Sequence, residues 1–230
     1  MDQLTFKRTS CLVAMAGCIQ FVVLTIIAML LYPGGKHGNI DTTGYDFLEN
    51  FFSDLGGTVT PTNLPNPVSS ILFFVALLAI GVMVMPFLLV VPSLFTASKV
   101  SRNIAWLGTV AGLISAAAFI GVAFTPWNLY MLEHVISVQV AFIGLIPLAL
   151  FYLLAAIAAK ERVLQVRYMV LLVEFLVAAI GYVILLFNAP GINTPAGLLI
   201  NALGQKLIVY NSIIVVAFLA HGCFESLRTA

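Results

Sequence analysis

Residues 68–91 read VSSILFFVALLAIGVMVMPFLLVV, without one charged side chain. At 1.5 Å per residue a helix of this length spans about 36 Å, and roughly 20 apolar residues suffice for the ~30 Å hydrocarbon core of a bilayer. Five other stretches meet the same requirement. The spans are expected at 11–32, 68–91, 104–124, 132–159, 168–187 and 207–224, within one domain covering 1–230. The fold class is therefore an all-α integral membrane protein, a six-helix transmembrane bundle.

Composition argues the same way. Of 230 residues, 62% are hydrophobic and 8% charged, too few charges to cover a soluble domain, so lipid must cover the rest. A net charge of +1 and the lack of basic runs interleaved with aromatics exclude nucleic acid as a partner. MDQLTFKR before the first apolar run imitates a signal peptide, but the run is too long for one and reads as a retained span. Cys11, Cys18 and Cys223 form no CxxC or CxxH spacing; they read as small buried hydrophobes or acylation points.

Bases set the orientation. Lys7, Arg8, Lys99, Arg102, Lys160, Arg162, Arg167 and Arg228 fall on one side and only Lys36 and Lys206 on the other, which predicts cytoplasmic N- and C-termini. Asp41, Asp46, Glu49, Asp54 and Glu133 make the outer side acidic, favouring cations or cationic head groups there. Trp127 and Tyr130 at the outer boundary and Trp106 at the inner one suit interfacial anchoring. Pro86, Pro92 and Pro147 are expected to kink or end their helices.

Short connections predict antiparallel sequential neighbours. The exception is the long first external loop, 33–67, rich in Gly and Pro; a loop of this length is usually functional. Its middle, YDFLENFFSDLGG (45–57), spaces aromatics at near-helical intervals before a glycine pair, predicting a short interfacial helix closed by a C-cap. NAPGINTPAG (188–197) is a second, smaller external loop.

Two groups of residues could carry chemistry. Glu174, about 10 Å inside the fifth span, is expected to face the bundle interior through Ala178, Gly181 and Tyr182, either hydrogen-bonded to a neighbouring helix or carrying protons, with His221 at a depth to meet it. On the outer side, Ser53 and Asp54 of the loop, Glu133 and His134 opening the fourth span, and Gln205 and Lys206 opening the sixth are expected to form a polar pocket for a ligand. The bland reading is a structural network, in which Asp54 pairs with Lys206 or caps a helix and His134 satisfies a loop carbonyl. No metal site is expected, because His37 lies in the PGGKHGN stretch and His221 on the opposite face; no cofactor is implied.

NFFSDLGGTVTP (50–61) resembles the S-D-x-G signature in the first external loop of the Frag1/DRAM/Sfk1-like membrane proteins and the related DUF998 proteins. FTPWNLYMLEHVISVQVAFIG (124–144), with His134 opening a span, and GLLINALGQKLIVYN (197–211), with Lys206 after a glycine, extend the likeness. Leu55, where DRAM-like members commonly carry Thr, turns it toward the DUF998 side. The resemblance implies a six-span bundle and a role in membrane-lipid remodelling. The absence of an N-x-S/T sequon fits a prokaryotic plasma membrane.

The function expected is binding of a lipid head group or another amphiphile in the outer polar pocket, with membrane lipid as partner. One rival is a lipid hydrolase or acyl-transfer enzyme whose catalytic residues would be His134 as base, Asp54 as its orienter, Ser53 as nucleophile and Lys206 steadying an oxyanion. A second is a transporter built on Glu174, Gln20, Ser115 and Gln139, and a third is a homo-oligomer or an accessory subunit of a larger membrane complex.

Overall fold

The computed structural model describes residues 2–159 and 165–228, and the backbone alone for residues 39 and 40. Six helices carry it: α1 Gln3–Leu30, α2 Pro67–Val90, α3 Lys99–Phe124, α4 Met131–Ala158, α5 Val166–Asn188 and α6 Pro195–Arg228. Each is long and apolar enough to cross a membrane.

The helix starts follow local chemistry. The Asp2 carboxylate accepts the Thr5 N–H at 2.6 Å, and the Ser98 hydroxyl accepts that of Ser101 at 3.2 Å. Pro67 and Pro195 begin α2 and α6, where a missing N–H leaves no hydrogen bond unmade. Pro86 and Pro147 lie inside α2 and α4, while Pro92 belongs to a 3-10 turn, Val91–Leu94, that ends α2.

Each helix packs on its sequence neighbour, and α6 packs back on α1, so the six close into a ring. Small residues let α2, α3 and α4 approach closely. A Cβ at Gly81 would lie 2.6 Å from Ile120, and one at Gly108 2.7 Å from Tyr152. The Thr109 hydroxyl ties the three helices together, 3.0 Å from the Leu88 carbonyl and 2.9 Å from the Tyr152 hydroxyl. Outward, Ile19, Leu30, Ile71 and Val177 are 66%, 78%, 62% and 65% exposed. Such rows of bare apolar side chains belong in hydrocarbon rather than water.

Two helices begin well before the expected spans. α1 starts at Gln3 because Asp2 caps it, and α6 at Pro195, so that Gln205 lies ten residues, about 15 Å, inside it. The Asn201 amide makes this extension tolerable, donating to the Pro190 and Gly197 carbonyls at 2.9 and 2.8 Å. At the opposite end of the bundle the Arg8 guanidinium donates to the Leu227 carbonyl at 2.7 Å. Lys160 and Arg162, on which the orientation partly rests, lie outside the described residues.

The segment between α1 and α2 departs most from expectation. It opens with an antiparallel hairpin, β1 Gly34–Lys36 and β2 Asn39–Thr43, turning at His37–Gly38, where Gly38 has φ +79°. The expected interfacial helix is instead a 3-10 turn, Phe52–Gly56. Phe52, Asp54 and Leu55 are buried, so this segment points into the bundle. Gly57 is not a left-handed cap, since its φ is −67°. Space explains that glycine better: a Cβ there would sit 2.6 Å from both the Trp127 indole nitrogen and the Val59 carbonyl.

Candidate functional site

Asn50 organises the segment 31–66 from its buried centre. Its side-chain amide donates to the Gly35 carbonyl at 3.1 Å and to Asp54 Oδ2 at 2.9 Å, and its Oδ1 accepts the Asp46 N–H at 2.9 Å. Its own carbonyl accepts the Tyr45 hydroxyl at 3.1 Å and the Lys206 ammonium. Asn66, at the start of α2, donates to the Leu55 and Gly57 carbonyls at 3.2 and 2.9 Å, which fixes the far side of the 3-10 turn.

Asp54 caps that turn. Its Oδ2 accepts the Phe51 N–H at 2.8 Å, and its Oδ1 lies 3.8 Å from His37 Nε2. Burial pushes the Asp54 carboxyl above its usual range, against the opposing pull of the Asn50 amide, His37, the Phe51 N–H and Lys206. Lys36 completes the hairpin's charge balance, bridging Asp46 at 2.8 Å and Glu49. Its hydrogen bonds to those two carboxylates raise its pKa.

From α6, Gln205 and Lys206 hold this segment down. Gln205 Oε1 accepts the Phe52 N–H at 2.8 Å. Lys206 is buried, its Nζ donating to the carbonyls of Asn50 and Ala202, the latter at 3.3 Å, and lying 5.4 Å from the Tyr45 and Phe47 ring centroids. The cation therefore docks the loop through a carbonyl and two aromatic faces; of the two structural roles weighed for Asp54, pairing with Lys206 or capping a helix, it is the capping that its hydrogen bonds make. From the α3–α4 connection, Asn128 accepts the Thr58 N–H at 3.0 Å and donates to its hydroxyl at 2.8 Å.

His134, in the first turn of α4, sets Nδ1 2.6 Å from the Thr125 carbonyl. A carbonyl only accepts, so Nδ1 carries the proton and the neutral ring keeps a lone pair on Nε2. Thr125, and not Asp54, orients this imidazole.

Three cavities meet beneath the segment. The first, about 240 Å³, lies between the loop, α4, α5 and α6, with His37, Asp54, Trp127, His134, Gln139 and Gln205 among its walls. The second, about 200 Å³, lies between α2 and the α3–α4 connection and also touches Trp127 and His134. The third, about 130 Å³, is an apolar chamber inside the helix ring, walled by residues such as Phe21, Ile80, Phe119, Phe142 and Val216. Ser53 lines all three, and its hydroxyl makes no hydrogen bond among the described residues. Gln205 lines the first and third.

The structure thus brings Ser53, Asp54, His134 and Gln205 together around one space and places Lys206 behind it. It leaves out Glu133, which is exposed on α4 because His134 takes the inward position of that turn. Glu174 does not face the interior. It is exposed on α5 and accepts the Asn211 amide of α6 at 2.9 Å, the hydrogen bond to a neighbouring helix that was one of its two expected roles; nothing lies within 4 Å of a Cβ at Gly181, while Ala178 and Tyr182 pack into the core. His221 is also exposed. Gln20 and Ser115 tie helices together, donating to the Ala76 carbonyl at 2.9 Å and the Ala141 carbonyl at 2.7 Å.

Sequence reasoning weighed His37 only as a metal ligand and passed over Asn50. The tight turn at Gly38 brings His37 back over Phe51 and Trp127, with ring centroids 6.1 and 5.9 Å apart. The one available signal was the density of glycine around His37. Asn50 gave none, since a polar residue in a loop reads as solvated.

Comparison with known proteins finds no family model that matches the chain, no similar curated protein and no similar solved structure.

Proposed function

We propose that this membrane protein binds an amphiphile whose polar head occupies the cavity lined by Ser53, His134 and Gln205, on the outer side of a prokaryotic plasma membrane. The observation that carries this reading is the Ser53 hydroxyl, without a hydrogen bond among the described residues, where two mainly apolar cavities that carry a few polar groups meet an apolar chamber. His134 Nε2 accepts a hydrogen bond there, the Gln205 amide donates, and Ser53 does either. That set suits a neutral head bearing hydroxyl and carbonyl oxygens, since the carboxyl among the cavity walls, Asp54, is already engaged by the Asn50 amide, the Phe51 N–H and His37. The resemblance of residues 50–61, 124–144 and 197–211 to stretches of DUF998 and Frag1/DRAM/Sfk1-like proteins supports a lipid role.

The test is mass spectrometry of amphiphiles that co-purify with the protein. Ser53→Ala combined with His134→Ala is expected to strip the bound species while the thermal unfolding midpoint stays within a few degrees of wild type. Unchanged co-purification in a folded double variant overturns the reading.

The shared cavities of Ser53 and His134 favour one second reading, ester hydrolysis or acyl transfer, in which His134 Nε2 takes the Ser53 proton. Asp54 has no part in that chemistry, because the Thr125 carbonyl holds Nδ1. Fatty-acid release from a monoacylglycerol by wild type and not by Ser53→Ala distinguishes catalysis from binding.

A further inference from the structure

We infer that the chamber inside the helix ring holds one acyl chain, so that the ligand of the loop-end cavity is a single-chained amphiphile. The inference rests on the head-binding reading above and names the ligand class.

Continuity comes first. Ser53 and Gln205 belong to the walls of both the polar cavity and the chamber, so a head hydrogen-bonded to them has its attached chain already at the chamber mouth. The second cavity reaches Ile71, which is exposed on α2, and gives a lateral route from the surrounding lipid.

The chamber's chemistry excludes water as its natural filling. Its two interior hydroxyls, Ser115 and Ser212, donate to the Ala141 and Ile208 carbonyls, each at 2.7 Å, and the remaining interior walls are aromatic and aliphatic side chains with glycine. A water there would lack the two to four polar partners it needs, whereas an apolar occupant needs none.

Length and closure choose the occupant. The walls run from Gln205 to Val216 on α6 and from Phe73 to Leu88 on α2, about 16 to 22 Å along the helices. One leaflet of a ~30 Å hydrocarbon core is about 15 Å deep, so the chamber accommodates the reach of one ordinary acyl chain. Beyond Leu88 and Leu148 lies the cluster of Phe87, Phe95, Tyr152 and Leu172, whose own small cavity of about 30 Å³ shares no wall residue with the chamber. A volume of about 130 Å³ spread over that length makes the chamber narrow, with room for one chain and not two.

Three glycerol esters provide the test, two monoesters that share one head, monopalmitoylglycerol and monobutyrylglycerol, and the two-chained dipalmitoylglycerol, offered to the protein in nanodiscs and scored by native mass spectrometry. Wild type is expected to retain monopalmitoylglycerol in preference to the other two. Val216→Phe, filling the chamber far from the head, is expected to weaken monopalmitoylglycerol at least about tenfold, as when two buried methylenes lose their contacts, and to leave monobutyrylglycerol unchanged. Ser212→Phe repeats the experiment from another wall should Val216→Phe fail to fold. His134→Ala is expected to weaken both monoesters.

Wild-type retention of monopalmitoylglycerol by both folded filled variants, or a preference for the diester, overturns the chamber inference while a loss in His134→Ala keeps the head site. No ester bound by wild type, together with amphiphile co-purification indifferent to Ser53→Ala and His134→Ala, overturns both.

Discussion

Asp54 shows how one carboxyl joins structure to function. One oxygen caps the 3-10 turn and holds the Asn50 amide, and the other turns toward His37 at the cavity wall. Because burial raises its pKa in the fold above the ordinary 3.8, the folded state binds the proton more tightly than the unfolded chain does. Its stabilising contribution is therefore fully present below about pH 4 and is lost as pH rises through the raised value. Asp54→Asn, neutral and of the same shape, should flatten the pH dependence of the unfolding midpoint and raise that midpoint by a few degrees at neutral pH. A midpoint lowered equally at every pH contradicts this. That Ser53, Asp54, His134 and Gln205 gather around one cavity was legible because polar groups at span ends have few other places to go. For Glu174 the hydrogen bond to a neighbouring helix was legible and is made by Asn211 of α6; its exposure was not, because Gly181 beside it leaves open space where packing was expected.

At the scale of elements, the 31–66 segment is a plug latched from above α6. Its latch is Lys206, whose ammonium reaches over one helical turn to the Asn50 carbonyl between the Tyr45 and Phe47 rings. Lys206→Met keeps the apolar stem and removes the donors. It should lower the opening free energy of the plug by about 1–3 kcal/mol, the cost of an unmade charged hydrogen bond, with faster amide exchange confined to residues 44–56. Exchange unaltered there refutes the latch. Apolar runs announced all six helices, because hydrocarbon imposes one long period of hydrophobicity. The hairpin and the 3-10 turn were not announced. Their backbone is held by side chains: Asp54 caps locally, but Asn50 reaches Gly35 and Asn66 reaches Leu55 and Gly57, pairings between separate parts of the loop that a local pattern does not show.

Over the whole molecule, the closure of α6 on α1 turns a series of antiparallel helices into a ring with an interior. That interior is the feature least legible in the sequence, since Phe21, Phe119 and Phe142 read as ordinary apolar residues until the ring places them around a common space. The plug sets polar groups over its mouth, and the core cluster shuts its far end. The most direct measurement of this account is the density inside the ring of the protein purified from its own membrane into nanodiscs, at a resolution that shows side chains. Elongated density running from Ser53 and His134 past Gln205 toward Val216 is the predicted result. A chamber collapsed onto its own side chains, with lipid density confined to the outer faces of the helices, would contradict it.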